Sequence, residues 1–308
     1  MSTGRRVAAI AGGVLVVGVI ALYLVPVSDP GFDALYAEVD ADTKASLTAF
    51  RAEHQPAQVE VDGEVFDYVV LGSGPPVLFL HGMGGAHDIF FQQLEALADT
   101  HTVVAVTYPP VPSLRGLADG VLAVLDAEQL ATTSVVGSSL GGYLAQYLVQ
   151  QHPQRLDRAV FANTVPPNDV IREDHRVLGT LLPVIPEWLV LGAFRSNIEA
   201  EVVPAAGGDP LVAAYLLEQG HGAMSKAQFV ARYRAVIDPF AVEPAPLEDR
   251  DILLIEADND PLVAPELRTM LRDTYPDAQV VTFEGLGHFP YLNEPERYTQ
   301  VLRDFLSH

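Results

Sequence analysis

Residues 134–151 read Ser-Val-Val-Gly-Ser-Ser-Leu-Gly-Gly-Tyr-Leu-Ala-Gln-Tyr-Leu-Val-Gln-Gln. Ser134–Gly137 is an apolar run of strand length, and Leu140–Gln151 places its apolar residues at helical spacing. Between them, Gly137-Ser138-Ser139-Leu140-Gly141 fits G-x-S-x-G. A strand that gives way to a helix this abruptly needs a sharp turn, where strained backbone presents one side chain and glycines on either side avoid a collision. The pattern alone arises by chance in many chains; its position between a strand and a helix makes Ser139 the candidate nucleophile. Ser138 is one position off the pattern and reads as structural. Because the helix starts at the nucleophile, its positive end faces a developing oxyanion, and the Leu140 amide is a candidate donor.

Working outward, short apolar runs alternate with longer helical patterns, as in a mostly parallel sheet covered on both faces. Val59–Val70 reads as a hairpin turning at Asp62-Gly63. Strands follow at Val77–Leu80, Thr102–Thr107 and Leu156–Ala162, with helices at Ile89–Leu97 and Leu114–Leu125. The rhythm breaks at Asn163. From about 163 to 250 there are prolines and broken helical patterns (Leu178–Leu191, Leu211–Glu218, Ala227–Val236) without a strand, which reads as an inserted helical cap. The alternation resumes with Asp251–Glu256, Pro265–Tyr275, Gln279–Phe283 and Pro295–Leu306.

Each connection carries its own chemistry. His81-Gly82-Met83-Gly84-Gly85 directly follows a strand and offers the Met83 amide as a second oxyanion donor; it lacks the Gly-Lys-Ser/Thr ending of a phosphate-binding loop. His81 itself reads as a residue that fixes this loop. The turn Ala257-Asp258-Asn259-Asp260-Pro261 supplies Asp260 as the acid that would orient an imidazole, while Asp258 reads as shaping the turn. Asp126 and Asp169 are remote alternatives. Of nine histidines only His288, in Gly285-Leu286-Gly287-His288, lies on the loop after the last strand, in the chain order Ser, Asp, His. His87, His175 and His221 are too scattered to suggest a metal site, no His-Glu-x-x-His occurs, and no cofactor or metal is expected. In the cap, Trp188 and Phe194, with Phe289 beside the candidate base, are candidate substrate-binding residues for an apolar pocket.

Composition bounds the rest. The 308 residues are 49% apolar and 19% charged, a globular profile. Forty acidic residues against 18 basic ones give a net charge of −22, which repels phosphate backbones and speaks against nucleic-acid binding. With no cysteine, thiol catalysis and disulfides are excluded.

At the amino terminus, Val7–Val25 is a run of 19 uncharged residues, about 28 Å as a helix against a hydrocarbon core of roughly 30 Å. Arg5 and Arg6 precede it, and no Lys or Arg follows until Lys44. That asymmetry predicts a cytoplasmic amino terminus, a single-pass transmembrane helix in residues 1–27 and an extracytoplasmic catalytic body. Val25-Pro26-Val27-Ser28-Asp29 lacks a small-x-small cleavage site, so a retained anchor is expected instead of a cleaved signal. Residues 28–57 read as a juxtamembrane segment or as a satellite helix packed on the body, residues 58–308.

GSSLGG, HGMGG, ADNDPLV and GHFPYLNEPE, in this order across residues 58–308, resemble the α/β-hydrolase superfamily. Within it, SSLGGYLAQ, WLVLGAF and YPDAQVVTFEGLGHFPYL resemble the maspardin branch, known for protein interaction; its members lack the histidine that this chain keeps at position 288. The amino-terminal segment is similar to that of membrane-bound monoacylglycerol lipases. The resemblance implies an α/β-hydrolase fold and a serine esterase or acylglycerol lipase acting on a small-molecule ester, including lipid, through an acyl-enzyme. Carbon–carbon bond hydrolases and perhydrolases share this machinery, and a catalytically silent interaction module shares the fold.

Overall fold

The computed structural model describes residues 20–167, 169–243 and 251–307. The hairpin forms as β1 (Ala57–Val61) and β2 (Glu64–Gly72), antiparallel, turning through Asp62 and Gly63. Both turn residues have positive φ (53° and 85°), the geometry that matches the twist of a two-residue hairpin. The other strands are β3 (Pro76–Leu80), β4 (Thr102–Thr107), β5 (Thr133–Ser138), β6 (Leu156–Ala162), β7 (Ile252–Ala257) and β8 (Gln279–Phe283). They form one sheet in the order β1-β2-β4-β3-β5-β6-β7-β8, antiparallel as far as the β2–β4 pair and parallel from β4 to β8.

That order fixes where a ligand can sit. The chain leaves β3 toward β4 on one side and returns as β5 on the other, which makes the carboxyl ends of these strands a topological switch point, the place where ligands of open α/β sheets bind. β5 and β7 are buried along their whole length, as central parallel strands covered on both faces must be. Successive residues feed opposite faces: Phe79 and Val136 join the core on one side, Leu78 and Val135 the core on the other.

The helices are α1 (Ala41–Glu53), α2 (Phe91–Leu97), α3 (Leu114–Ala127), α4 (Leu140–Gln151), the cap helices α5 (Asp169–Leu181), α6 (Glu187–Asn197), α7 (Pro210–Glu218) and α8 (Lys226–Val236), then α9 (Pro265–Thr274) and α10 (Pro295–Leu306). Two expectations change. The pattern read as one helix over Leu178–Leu191 is two, because Pro183 and Pro186 stop α5 and restart the chain as α6. The helix read as starting at Ile89 begins as a 3₁₀ turn, His87–Phe90, before α2.

Residues 28–57 resolve to the packed alternative. Tyr36, Leu47 and Phe50 are fully buried in the core beside α2, so the segment belongs to the body and the boundary expected at 58 is not a structural one. Most of the expected membrane-spanning stretch, Val7–Val25, lies outside the described residues. Among the described residues no helix is long and apolar enough to cross a membrane.

A charged cluster fastens this segment to the cap. Arg51 Nε donates to Asp88 Oδ2 (2.6 Å), its terminal nitrogens donate to both oxygens of Glu218 on α7 (2.9 and 2.8 Å), and Tyr36 Oη donates to Glu218 Oε2 (2.6 Å). Tyr215 Oη donates to the other Asp88 oxygen. Removing a cation from such a cluster leaves its carboxylates desolvated and unpaired. Arg51→Met is therefore expected to lower stability by about 3 kcal/mol in urea denaturation and to expose residues 28–57 to proteolysis before the rest of the chain.

Candidate active site

The elbow forms as its spacing predicts. Ser139 has φ 56° and ψ −120°, a strained conformation for a residue with a Cβ, and it sits between the end of β5 and the first turn of α4. The turn closes because backbones touch. A Cβ on Gly137 would lie 2.1 Å from Gly141 O, and one on Gly141 would lie 1.9 Å from Leu80 O. Ser139 N–H donates to Ala162 O (2.9 Å) and Thr164 Oγ1 donates to Ser139 O (2.7 Å), which locks the strained residue to the end of β6. Ser139 is half-buried, whereas Ser138 is fully buried, in keeping with a structural role for the latter.

Asp260 and His288 meet below. Nδ1 of His288 lies 2.9 and 2.8 Å from the two Asp260 oxygens, with both side chains almost wholly buried. Asp260 also accepts from Asn163 Nδ2 (2.9 Å), Leu262 N–H (2.9 Å) and Val263 N–H (3.2 Å). Burial pushes its carboxyl up, but the His288 imidazole and these donors outweigh that and hold it below the ordinary carboxylate value. A carboxylate on Nδ1 fixes the tautomer so that Nε2 is left to accept a proton. Ser139, Asp260 and His288 thus all stand at the carboxyl ends of parallel strands, after β5, β7 and β8.

The two acidic loops are clasped residue by residue. Asp258 Oδ1 accepts from Gly285 N–H (2.8 Å), Asn259 Oδ1 accepts from Gly287 N–H (2.8 Å), and Asp260 takes His288. Asp258 therefore shapes the loops, as its position suggested. Asp126 pairs with Arg155 and Asp169 with Arg172, both on the surface.

The loop after β3 lies against the elbow: a Cβ on Gly82 would come 2.9 Å from Ser139 Cβ. His81 is buried, its Nε2 accepts Tyr108 N–H (3.3 Å), and its Nδ1 therefore carries the proton donated to Gly82 O (2.6 Å). Burial, then the nearby Arg232 guanidinium, keeps this imidazole neutral. Arg232, on α8 and fully buried, donates to Met83 O (2.8 Å), Gly85 O (2.9 Å) and Tyr108 O (3.2 Å). Burial lowers its pKa to about 10, which still leaves it charged at neutral pH. The loop that carries Met83 is thus braced from both sides beside the elbow, and the leading amides of α4, Leu140 among them, have no acceptor within the helix.

The three expected substrate-binding residues separate. Phe194 packs on this loop, since a Cβ on Gly84 would lie 3.0 Å from its Cζ, and it meets Phe229 edge-on. Phe289 is buried in the core, perpendicular to the His288 ring at 5.0 Å, where it supports the imidazole. Trp188 is engaged elsewhere: its indole N–H donates to Leu22 O (2.9 Å) in the amino-terminal segment. Among the described residues, no group of three His, Asp or Glu is placed to hold a metal. Two shallow concavities of about 360 and 440 Å³ sit where residues 29–43 meet the body, and neither is lined by Ser139, Asp260 or His288. Two contributors escaped the sequence: Asn163, signalled only by the break in strand rhythm, and Arg232, signalled by nothing local.

With this geometry in view, similarity to known proteins becomes informative. An uncharacterized protein of Mycobacterium tuberculosis is 27% identical over 269 residues, 77% of each chain, and human maspardin is 25% identical over 236 residues, 73% of this chain and 74% of its own. The solved structure of a membrane phospholipase A, described as a bacterial virulence factor, superposes with a TM-score of 0.66 at 21% identity, covering 97% of this chain and 98% of the other. Residues 77–301 match the sequence profile of the alpha/beta hydrolase family, and the chain belongs to that family.

Proposed function

We propose that the protein is a serine hydrolase that cleaves an ester through an acyl-enzyme. The observation that carries this reading is the buried Asp260–His288 pair at the carboxyl-end edge of the sheet that also bears a serine held at φ 56°. Ser139 Oγ attacks the ester carbonyl carbon as His288 Nε2 takes its proton, and the carbonyl electrons move to an oxyanion held by the Met83 and Leu140 amides. Collapse expels the alcohol, which receives the proton from His288. Water, deprotonated by the same imidazole, then releases the acid and restores Ser139. Asp260 keeps the imidazole in the competent tautomer and stabilises the imidazolium. Phe194 over the oxyanion loop favours an apolar acyl group, and a membrane anchor in residues 1–27, with the body extracytoplasmic, would bring lipid esters within reach.

Labelling by a fluorophosphonate probe tests the nucleophile. Labelling is expected to vanish in Ser139→Ala and to slow by about 10⁴-fold or more in His288→Ala; full labelling of Ser139→Ala would overturn the assignment. Arg232→Met is expected to lower kcat on a short-chain ester by roughly 10²-fold with KM little changed, since the Met83 donor shifts while the pocket remains. An equal rise in KM would assign Arg232 to substrate binding instead. For Asp260, folding lowers the pKa, so its contribution to stability is complete above the ordinary value of 3.8 and is lost as pH falls below it. Urea midpoints of the wild-type chain and Asp260→Asn are expected to differ most at neutral pH and to converge below that value.

A further inference from the structure

Fifteen large apolar side chains are strongly exposed among the described residues, and eleven of them fall in two stretches, five in residues 20–25 and six in residues 170–189. The six are Val170, Val177, Leu178, Leu181, Val184 and Leu189, on α5, on the turn after it and at the start of α6. The two stretches are joined: Trp188 Nε1 donates to Leu22 O (2.9 Å), and Tyr23 Oη donates to Val184 O. The inner side of α5 is accounted for by α8, which meets Gly179 and accepts His175 against Tyr233 (2.7 Å). On its outer side, Val170, Val177, Leu178 and Leu181 are exposed among the described residues.

An uncharged stretch runs through the middle of this face. Residues 177–186 carry no charged side chain, and residues 170–189 hold three acids against two arginines, in a chain of net charge −22. Such a face is a poor match for an anionic surface only through its surroundings; its own chemistry is that of hydrocarbon. Its neighbour in the chain is residues 7–19, which are uncharged and lead directly into Ile20. At the junction stand a Trp and a Tyr, the residues that favour the boundary between water and acyl chains because each joins an apolar ring to a polar tip.

We infer that this face of the cap rests on a zwitterionic lipid bilayer, with Val177, Leu178, Leu181, Val184 and Leu189 dipping into the headgroup–acyl boundary beside the point where the amino-terminal segment enters it. The inference rests on the proposed membrane anchor. It also gives α6 two working ends. Trp188 and Leu189 lie at the bilayer and Phe194 lies on the oxyanion loop, about 9 Å apart along the helix axis, so an ester of a membrane lipid would travel roughly that far to reach Ser139.

Trp188 is the chain's single tryptophan and so reports on this contact without labelling. The full chain is reconstituted with phosphatidylcholine vesicles, with or without bromine on the acyl chains, and assayed by flotation and by tryptophan emission. The expected result is co-flotation with loss of more than about half of the emission in the brominated vesicles, as for side chains buried some 5–10 Å into the interface. In the double variant Leu181→Asp, Val184→Asp, checked for fold by circular dichroism, the chain should still float while its emission becomes insensitive to bromine. A floating wild-type chain without quenching, or equal quenching in the variant, overturns the docking face while leaving the anchor intact. A chain that does not float overturns both. Emission that responds to protein concentration but not to bromine assigns the face to a second copy of the chain and overturns the bilayer contact.

Discussion

Backbone contact at the elbow is the constraint from which the rest follows. Gly137 against Gly141 and Gly141 against Leu80 bring the end of β5, the start of α4 and the end of β3 closer than any side chain would allow. Only at that separation can β5 give way to a helix within one residue, with Ser139 at the apex and the loop bearing Met83 alongside. Strain at one residue costs on the order of 1–3 kcal/mol. It is offset by the hydrogen bonds that Ala162 and Thr164 make to Ser139 and by the near-complete burial of β5 and α4.

Around that point, the chain distributes the supporting work among distant segments. β7 and β8 pair in parallel, so the loops that follow them lie side by side, and consecutive residues of one hold consecutive features of the other. The imidazole is thereby aimed by backbone spacing and by the Asp260 carboxylate together. Phe289 closes its other side. The loop after β3 is fixed by a neutral imidazole and by a buried guanidinium, both hydrogen-bonded to its peptide groups. Among the described residues the guanidinium has no ion-pair partner, and its hydrogen bonds go to peptide carbonyls and to the Met224 sulfur.

How much of this could be read from residues alone follows from the range over which each signal acts. The strands were legible because each is a short, largely apolar run between turn or helical patterns, and β4 and β8 appear with the bounds expected. Ser139, Asp260 and His288 were legible because each follows a strand in a fixed order. The cap was harder. Its helices end at prolines whose effect depends on neighbours, so Leu178–Leu191 divided and α5 was underestimated. Asn163 and Arg232 were illegible because their partners lie 97 and 149 residues away, and nothing in their local sequence distinguishes them from ordinary polar residues. The contact of Trp188 with the amino-terminal segment was illegible for a related reason: its partner is a carbonyl 166 residues earlier.

The charged cluster around Arg51 divides the roof into two parts with different freedom. α7 is fastened through Glu218 to a helix anchored in the core by Leu47 and Phe50, so lifting it would separate opposite charges in a half-dry seam. α5 and the first turn of α6 are held instead by α8, through His175 against Tyr233 and Glu187 accepting from Lys226 N–H. Lifting α7 would therefore separate opposite charges that lifting α5 would not, and the two parts of the roof differ in what holds them down.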